Sequence, residues 1–354
     1  MSRLPHTPSA ARKRTGERPP GHTSGAISRR HMLGASAAAL LLMPAARSSA
    51  QSATPAAGWS YTDITGESVT LPAMPTRIAA MITPGAALWD FGVRPAGIFA
   101  WEATVAPDGD DPAWGHIDAA EVVNIGGGEA GNLDPEKLAA LGADLVVTTR
   151  FDDATPYVQI DPEVVEQIRA FVPVVAAYQP GPALTNLQRV AELAQLLGAD
   201  LDSPQNTADR EAFETAQADL AALLAEKQGL RVLVIDPYEA EYGVVAPRDF
   251  DDLAWLAELG VPFIGADWEP GVWFESHSAE DALAYPADVV LISNLAGRLT
   301  ADALQAHPTY GQHPAIKAGQ IGEWSQSYIP SYPQLTTTLR NTIAALQDAE
   351  KVTP

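Results

Sequence analysis

The 354-residue chain sets 22 Lys and Arg against 44 Asp and Glu, a formal charge of −22, and contains no cysteine. Such an acidic chain excludes nucleic acid as a partner, because phosphates would be repelled rather than neutralised. The absence of cysteine excludes disulfides, thiolate-held metal or haem, and a lipid-modified cysteine.

The charge is unevenly spread. Eight of the basic residues and only one acid fall in residues 1–50, leaving 14 basic and 43 acidic residues beyond them and a formal charge there of about −29. Within that segment Ser28-Arg29-Arg30-His31-Met32-Leu33 leads into the apolar run MLGASAAALLLM, and small residues follow in ARSSAQSA. This is the three-part build of a secretory signal with paired arginines, predicted to use the twin-arginine route and to be cleaved after Ala50 or Ala53. The apolar run is too short for a membrane span, which needs roughly 20 residues. The exported chain is therefore expected to be a free, soluble, monomeric periplasmic protein.

Beyond the leader, apolar runs alternate with helical periodicities: RIAAMI (77–82), AALWDFGV, AGIFA (96–100), LDPEKLAALGA and DLVVTT (144–149). The pattern restarts after residue 229 with RVLVIDP, RDFDDLAWLAELGV, PFIGA, SAEDALAYPA and DVVLIS. Strands alternating with helices predict α/β architecture with two Rossmann-like lobes, parallel sheets, and ligands at the carboxyl ends of the strands. Between the two series lies a polar–apolar periodic segment without Gly, Ser or Pro enrichment, which predicts one long helix over 206–228 rather than a flexible linker. The expected organisation is a signal peptide over 1–50, an N-terminal lobe over 59–205, the helix over 206–228, and a C-terminal lobe over 229–354.

The stretch GGGEAG (126–131) matches the glycine pattern of a dinucleotide loop. In that motif the helix opens within the glycines, facing the pyrophosphate. Here the helix starts later, with Asp134 as N-cap and Pro135 at the first helical position, and Glu129 sets a negative charge where phosphates would lie. The stretch reads better as one copy of a repeat. LDPEKLAALGADLVV (133–147) aligns without a gap to HSAEDALAYPADVVL (277–291), placing Glu136 over Glu280 and Asp144 over Asp288. Each copy predicts a cap, a first-turn glutamate, a short helix and a buried strand opened by aspartate. A first-turn acid by itself only favours the helix dipole. Two at matching points of two lobes suggest a paired outward contact.

In order and spacing, DITGESVTLPAMPTRIAAM, LWDFGVRPAGI, NLDPEKLAALGADLVVTT, LQRVAELAQLLGA, LAELGVPFIG, SAEDALAYPADVVLIS, HPTYGQHPAIKAGQIGEW and YPQLTTTLRNTIAALQ resemble the helical-backbone substrate-binding proteins of ABC importers, in their ferric-siderophore and cobalamin branch. The resemblance covers nearly all of the chain beyond the leader. It implies two lobes joined by a single long helix, a ligand cleft between them, and an ABC permease of the inner membrane as partner. It also implies that Glu136 and Glu280 pair with permease arginines.

Cleft residues are expected from loops following the strands: Trp101, Trp114 and Arg150 in the first lobe, and Tyr238, Tyr242, Arg248, Trp268, Trp273 and Arg298 in the second, with Tyr328 and Tyr332 before the last helix. The ligand-binding set is read as Trp101, Arg150, Tyr238, Tyr242, Arg248, Trp273, Arg298 and Tyr328. Aromatics with arginines suit a large, planar, partly anionic ligand. A ferric siderophore brings its metal already chelated, so no cofactor and no protein ligand to metal are expected. Cobalamin, haem and free zinc or manganese are the alternatives. A bare metal needs three or four converging ligands, and beyond the leader the only histidines are His116, His277, His307 and His313. An exported enzyme is the other rival, but the chain has no G-x-S-x-G, H-E-x-x-H or P-loop. The adjacent acids Asp110-Asp111, Asp152-Asp153 and Asp251-Asp252 read as solvated turns or helix starts.

Overall fold

The structure, a computed structural model, describes residues 58–100, 111–128, 131–265, 269–281 and 284–353. The leader, with its paired arginines, lies outside the described residues. An antiparallel hairpin of β1 (Trp59–Thr62) and β2 (Ser68–Leu71) opens the described chain. There follow β3 (Ile78–Met81), α1 (Ile82–Asp90), β4 (Gly97–Phe99), β5 (Val123–Asn124), β6 (Gly126–Gly127), β7 (Asn132–Leu133), α2 (Pro135–Leu141), β8 (Leu145–Thr148), α3 (Pro162–Ile168), β9 (Val174–Ala176) and α4 (Ala183–Leu196). After α5 (Pro204–Glu226) come β10 (Val232–Pro237), β11 (Glu241–Val245), α6 (Asp251–Glu258), β12 (Phe274–Ser278), β13 (Val289–Ser293), α7 (Ala301–Ala306), α8 (Pro314–Lys317), β14 (Ile321–Trp324) and α9 (Tyr332–Gln347).

The first sheet has the order β5-β4-β3-β8-β9 and every pair is parallel. The chain moves to one side of β3 through β4 and β5, then to the other through β8 and β9, so the order reverses between β3 and β8. The second sheet, β12-β11-β10-β13-β14, reverses in the same way between β10 and β13. It is mixed, however. β10, β13 and β14 are parallel, but β11 and β12 run antiparallel as a hairpin edge. Of the expected strand PFIGA, the described residues contribute an isolated bridge from Phe263 to Val232.

Side chains alternate across these strands with period two. Ile78, Ala80, Leu145, Val147, Val232, Val234, Val289 and Leu291 enter one continuous apolar core shared by both lobes. The intervening Ala79, Met81 and Val146 enter a second core on the outer face of the first sheet, and Leu233, Ile235, Val290 and Ile292 a third on that of the second. The shared core runs through α5 and α9. Phe213 of α5 stacks on Trp255 of α6 at 5.7 Å between ring centroids and leans on Tyr332 of α9 at 5.6 Å, and Tyr332 meets Phe91 edge-on at 6.1 Å. The 23-residue α5 starts two residues before the predicted helix, because Ser203 caps it by accepting from Asn206 N–H and Pro204 fits its first turn. At 1.5 Å per residue it is ~35 Å long.

The repeat read from sequence has one shared structural device. Asp144 accepts hydrogen bonds from the backbone N–H of Thr76 (2.8 Å) and Arg77 (2.9 Å), pinning the start of β3 to that of β8. Asp288 does the same for β10 and β13 by accepting from Arg231 N–H (2.9 Å), and it also accepts from Val352 and Thr353 N–H, which ties down the C-terminal segment. The helices of the two copies differ. Asp134 caps α2 through Glu136 and Lys137 N–H, and Gly142 ends it in the left-handed conformation. The second copy instead continues β12 through Ser278 and makes a single 3-10 turn over Ala279–Asp281. Pairing of His277 and Ser278 with β11 takes up the residues that would have capped a helix.

The glycines are explained by β6 and β7, a two-residue hairpin leading into α2. A Cβ on Gly126 would lie 2.8 Å from the Gly131 carbonyl oxygen, and one on Gly127 would lie 2.9 Å from the Asp134 carboxylate. The loop is closed by its own backbone rather than by a phosphate.

Burial works to raise the pKa of Asp288, but the hydrogen bonds from Thr353, Val352 and Arg231 together hold it below the ordinary carboxylate value. Asp288→Ala should cost about 3 kcal/mol in urea unfolding and Asp144→Ala about 1 kcal/mol, since the first orphans several buried donors and the second mostly solvated ones. Equal losses would show that burial does not separate the two sites.

Candidate functional site

The two order reversals place their strand ends around one cavity of about 550 Å³. Met81 ends β3, Thr83 follows it, Thr149 and Arg150 come just past β8, and Leu295, Ala296 and Arg298 past β13. Phe250, Asp251, Trp273, Phe274 and Tyr328 stand on the second-lobe wall, and Phe151, Val158 and Tyr178 on the first. An open parallel sheet leaves a crevice at such a reversal, and two facing crevices make a ligand-sized cavity.

Two tyrosines form part of the lining. Tyr178 and Tyr328 meet edge-on at 6.0 Å. The Tyr178 hydroxyl donates to Thr83 Oγ1 (3.0 Å) and that of Tyr328 to the Ala183 carbonyl (2.7 Å), so Tyr328 crosses to the first lobe. Burial pushes the hydroxyl pKa of both well above the ordinary value. At the other side Phe151 and Trp273, one from each lobe, lie 5.7 Å apart, and Trp273 packs edge-on to Phe250 at 4.8 Å.

Both cavity arginines are paired. Arg298 donates from Nε to Asp236 Oδ1 (2.7 Å) and from Nη2 to Asp236 Oδ2 (3.1 Å), and its guanidinium lies 4.6 Å over the Tyr238 ring. Asp236, near the end of β10, is buried. Arg150 is held by Tyr178 through its backbone N–H (2.9 Å) and forms an ion pair with the exposed Asp153.

Of the residues expected in the cleft, Arg150, Trp273, Arg298 and Tyr328 line the cavity, and Tyr238 stands beside it beneath Arg298. Trp101 and Trp268 lie outside the described residues. Tyr242 lies elsewhere: because β10 turns back into antiparallel β11, its ring is buried in the second-lobe core and its hydroxyl donates to the Asp281 carbonyl (2.9 Å). The same hairpin carries Arg248 away, to a separate surface hollow beside Arg231, Phe263 and Tyr285. Trp114 and Tyr332 are also packed in the shared core or against it. Sequence reasoning missed Phe151, Tyr178, Phe250 and Asp236. Tyr178 follows the parallel strand β9 and was within reach of the strand-end rule.

Asp251 and Asp252 do start a helix, α6, but they are not solvated. Asp251 joins the lobes by accepting from Gly181 N–H and Asn186 Nδ2, both at 2.8 Å, and the buried Asp252 accepts from Trp324 Nε1 at 2.9 Å. Among the described residues no three His, Asp or Glu converge as metal ligands. His313 is buried with Nε2 on the Tyr285 carbonyl, and His307 Nε2 is on that of Glu239.

This architecture is that of a helical-backbone substrate-binding protein of ABC importers. The chain belongs to the siderophore-binding members of that family, which are binding proteins and not enzymes. It is similar to DesE, a ferric-siderophore receptor protein from Streptomyces coelicolor, with 33% identity over 83% of this chain and 100% of the receptor and a TM-score of 0.75. The fold also matches the siderophore periplasmic binding protein of the fuscachelin gene cluster of Thermobifida fusca (19% identity, 78% of this chain and 98% of that one, TM-score 0.57). A third match is the petrobactin-binding protein YclQ from Bacillus subtilis (13%, 82% and 99%, TM-score 0.58). No family profile and no curated protein matches the sequence. No helix among the described residues is long and apolar enough to cross a membrane.

Burial raises the Asp251 pKa to about 7 and that of Asp252 to about 6, against lowering by hydrogen bonds from Gly181 and Asn186 to the first and from Trp324 to the second. Unfolded carboxylates titrate near ~3.9, so the folded chain keeps these protons to higher pH. The resulting stability is full below that value and is lost as pH rises through about 6 and about 7. The ligand-free protein should therefore have a lower urea midpoint at pH about 8 than at pH about 5, and Asp251→Asn should reduce the difference. An unchanged difference in that variant would remove Asp251 as its source.

Proposed function

We propose that this protein captures a ferric siderophore outside the cytoplasmic membrane and delivers it to an ABC permease. The observation that carries this reading is the cavity between the lobes, walled by Trp273, Phe250, Tyr178 and Tyr328 and edged by Arg150 and Arg298. Its volume of about 550 Å³ suits a compact chelate. The aromatics supply apolar contact to the ligand's organic shell, and the arginines supply directed donors to its oxygens. No protein ligand to iron is needed, because the chelator fills the coordination sphere.

Tryptophan fluorescence of the purified protein, titrated with ferric siderophores of several classes beside haem, cobalamin and free zinc, tests the reading. Saturable one-to-one quenching by a ferric siderophore is the expected result. Saturation by haem, cobalamin or zinc alone would replace the ligand while leaving the family unchanged.

Docking is proposed through Glu136, in the first turn of α2, and Glu280, in the turn after β12. Both side chains are exposed and stand at corresponding points of the repeat. Each exposed pair with a permease arginine contributes only about 0–1 kcal/mol, so orientation and encounter rate are the larger gains. Replacing both with Ala should leave siderophore affinity unchanged and weaken stimulation of permease ATPase in proteoliposomes. Full stimulation by the double variant would reject the docking assignment.

A further inference from the structure

The cavity holds two arginines but no excess of positive charge. Arg298 commits Nε and Nη2 to the two oxygens of the buried Asp236 and directs Nη1 to the Ala296 carbonyl (3.3 Å), so it faces the cavity as one half of a neutral pair. Arg150 is paired with Asp153. That carboxylate is exposed, and a further acid, Asp111, also lines the cavity. Asp251, the remaining charged group of the lining, is an acid, so its ionisation only makes the balance more negative. The internal segments outside the described residues, 101–110, 129–130, 266–268 and 282–283, contain Glu102, Asp108, Asp110, Glu129 and Asp267 and neither Lys nor Arg. The whole chain carries −22.

A multiply charged anion entering this cavity would lose hydration and find no unpaired cation to replace it, in the field of an acidic protein. A chelate whose ligand charges cancel those of Fe(III) avoids that cost. Its carbonyl oxygens still accept hydrogen bonds from guanidinium N–H groups, and Met81, Val158 and Phe250 of the lining offer apolar surface to its methylene spacers.

We propose that the ligand is a ferric chelate with no net negative charge, a trihydroxamate, and that tricatecholates and polycarboxylates are disfavoured. The proposal rests on the siderophore reading above and narrows it by charge. It also reverses the expectation from sequence, where arginines counted without their partners pointed to an anionic ligand.

The test is fluorescence titration with ferrichrome, a neutral ferric trihydroxamate, against the trianionic ferric complex of enterobactin and ferric citrate. Affinity for ferrichrome at least ~100-fold above that for either anion is the expected result, about two decades being what an unpaired charge in such a site is worth. Tighter binding of either anion overturns the charge assignment and leaves the siderophore reading standing. If no ferric chelate binds, both fall. Variants then test the cause. Asp236→Asn frees Arg298, and Asp153→Asn, at a fully solvated position that cannot disturb folding, frees Arg150. Each should shift the affinity ratio of tricatecholate to ferrichrome about three- to tenfold towards the tricatecholate. If the folded variants leave that ratio unmoved, the paired carboxylates do not set selection and the proposal is lost.

Discussion

The apolar seam along α5 and α9 is the constraint on which the site depends. Phe213, Trp255, Tyr332 and Phe91 are buried or half-buried against one another there, and the same core continues into one face of each sheet. Without that seam each sheet would end in its own shallow crevice. With it, the carboxyl ends of β3, β8 and β13 meet across one cavity. The aspartates opening β8 and β13 act at the opposite edge, where they fix which parallel strands start together and so which ends finish together. Cavity shape is thus set by contacts made away from it.

Inside the cavity the governing quantity is charge balance rather than charge. A guanidinium held bidentately by a buried carboxylate is oriented and planar, and it offers no uncompensated field. The paired tyrosines add rigidity, because each hydroxyl is committed to a partner on the first lobe. Recognition here would come from shape, ring contact and directed donors.

Much of this was legible in the sequence. Hydrophobic runs opening with aspartate located β8 and β13, and the residues just beyond them, Arg150 and Arg298, stand at the cavity because both strands are parallel and end on its side. Ser203 and Pro204 mark where α5 begins, although periodicity alone placed the start later. What was hidden depends on pairing between distant segments. Tyr242 and Arg248 also follow a strand, but β10 folds back into a hairpin, and nothing in RVLVIDPYEAEYGVV distinguishes a return to the cavity from a return to the outer core. Asp236 was invisible as a partner for Arg298 because 61 intervening residues lie between them in the chain. The carboxylates of Asp251 and Asp252 looked like an ordinary helix start, and only the approach of α4 and β14 removes them from water.

The shared seam also bears on traffic at the membrane. Opening the lobes widely would expose the aromatic stack between α5, α6 and α9 to water, at about 25 cal/mol for each Å² uncovered. Empty and loaded molecules would therefore differ little in outline. Under the docking proposed through Glu136 and Glu280, a permease would meet nearly the same spacing in both. Empty copies would then compete with loaded ones for the same docking face, and import would slow when binding protein outnumbers its cargo, even with every component intact.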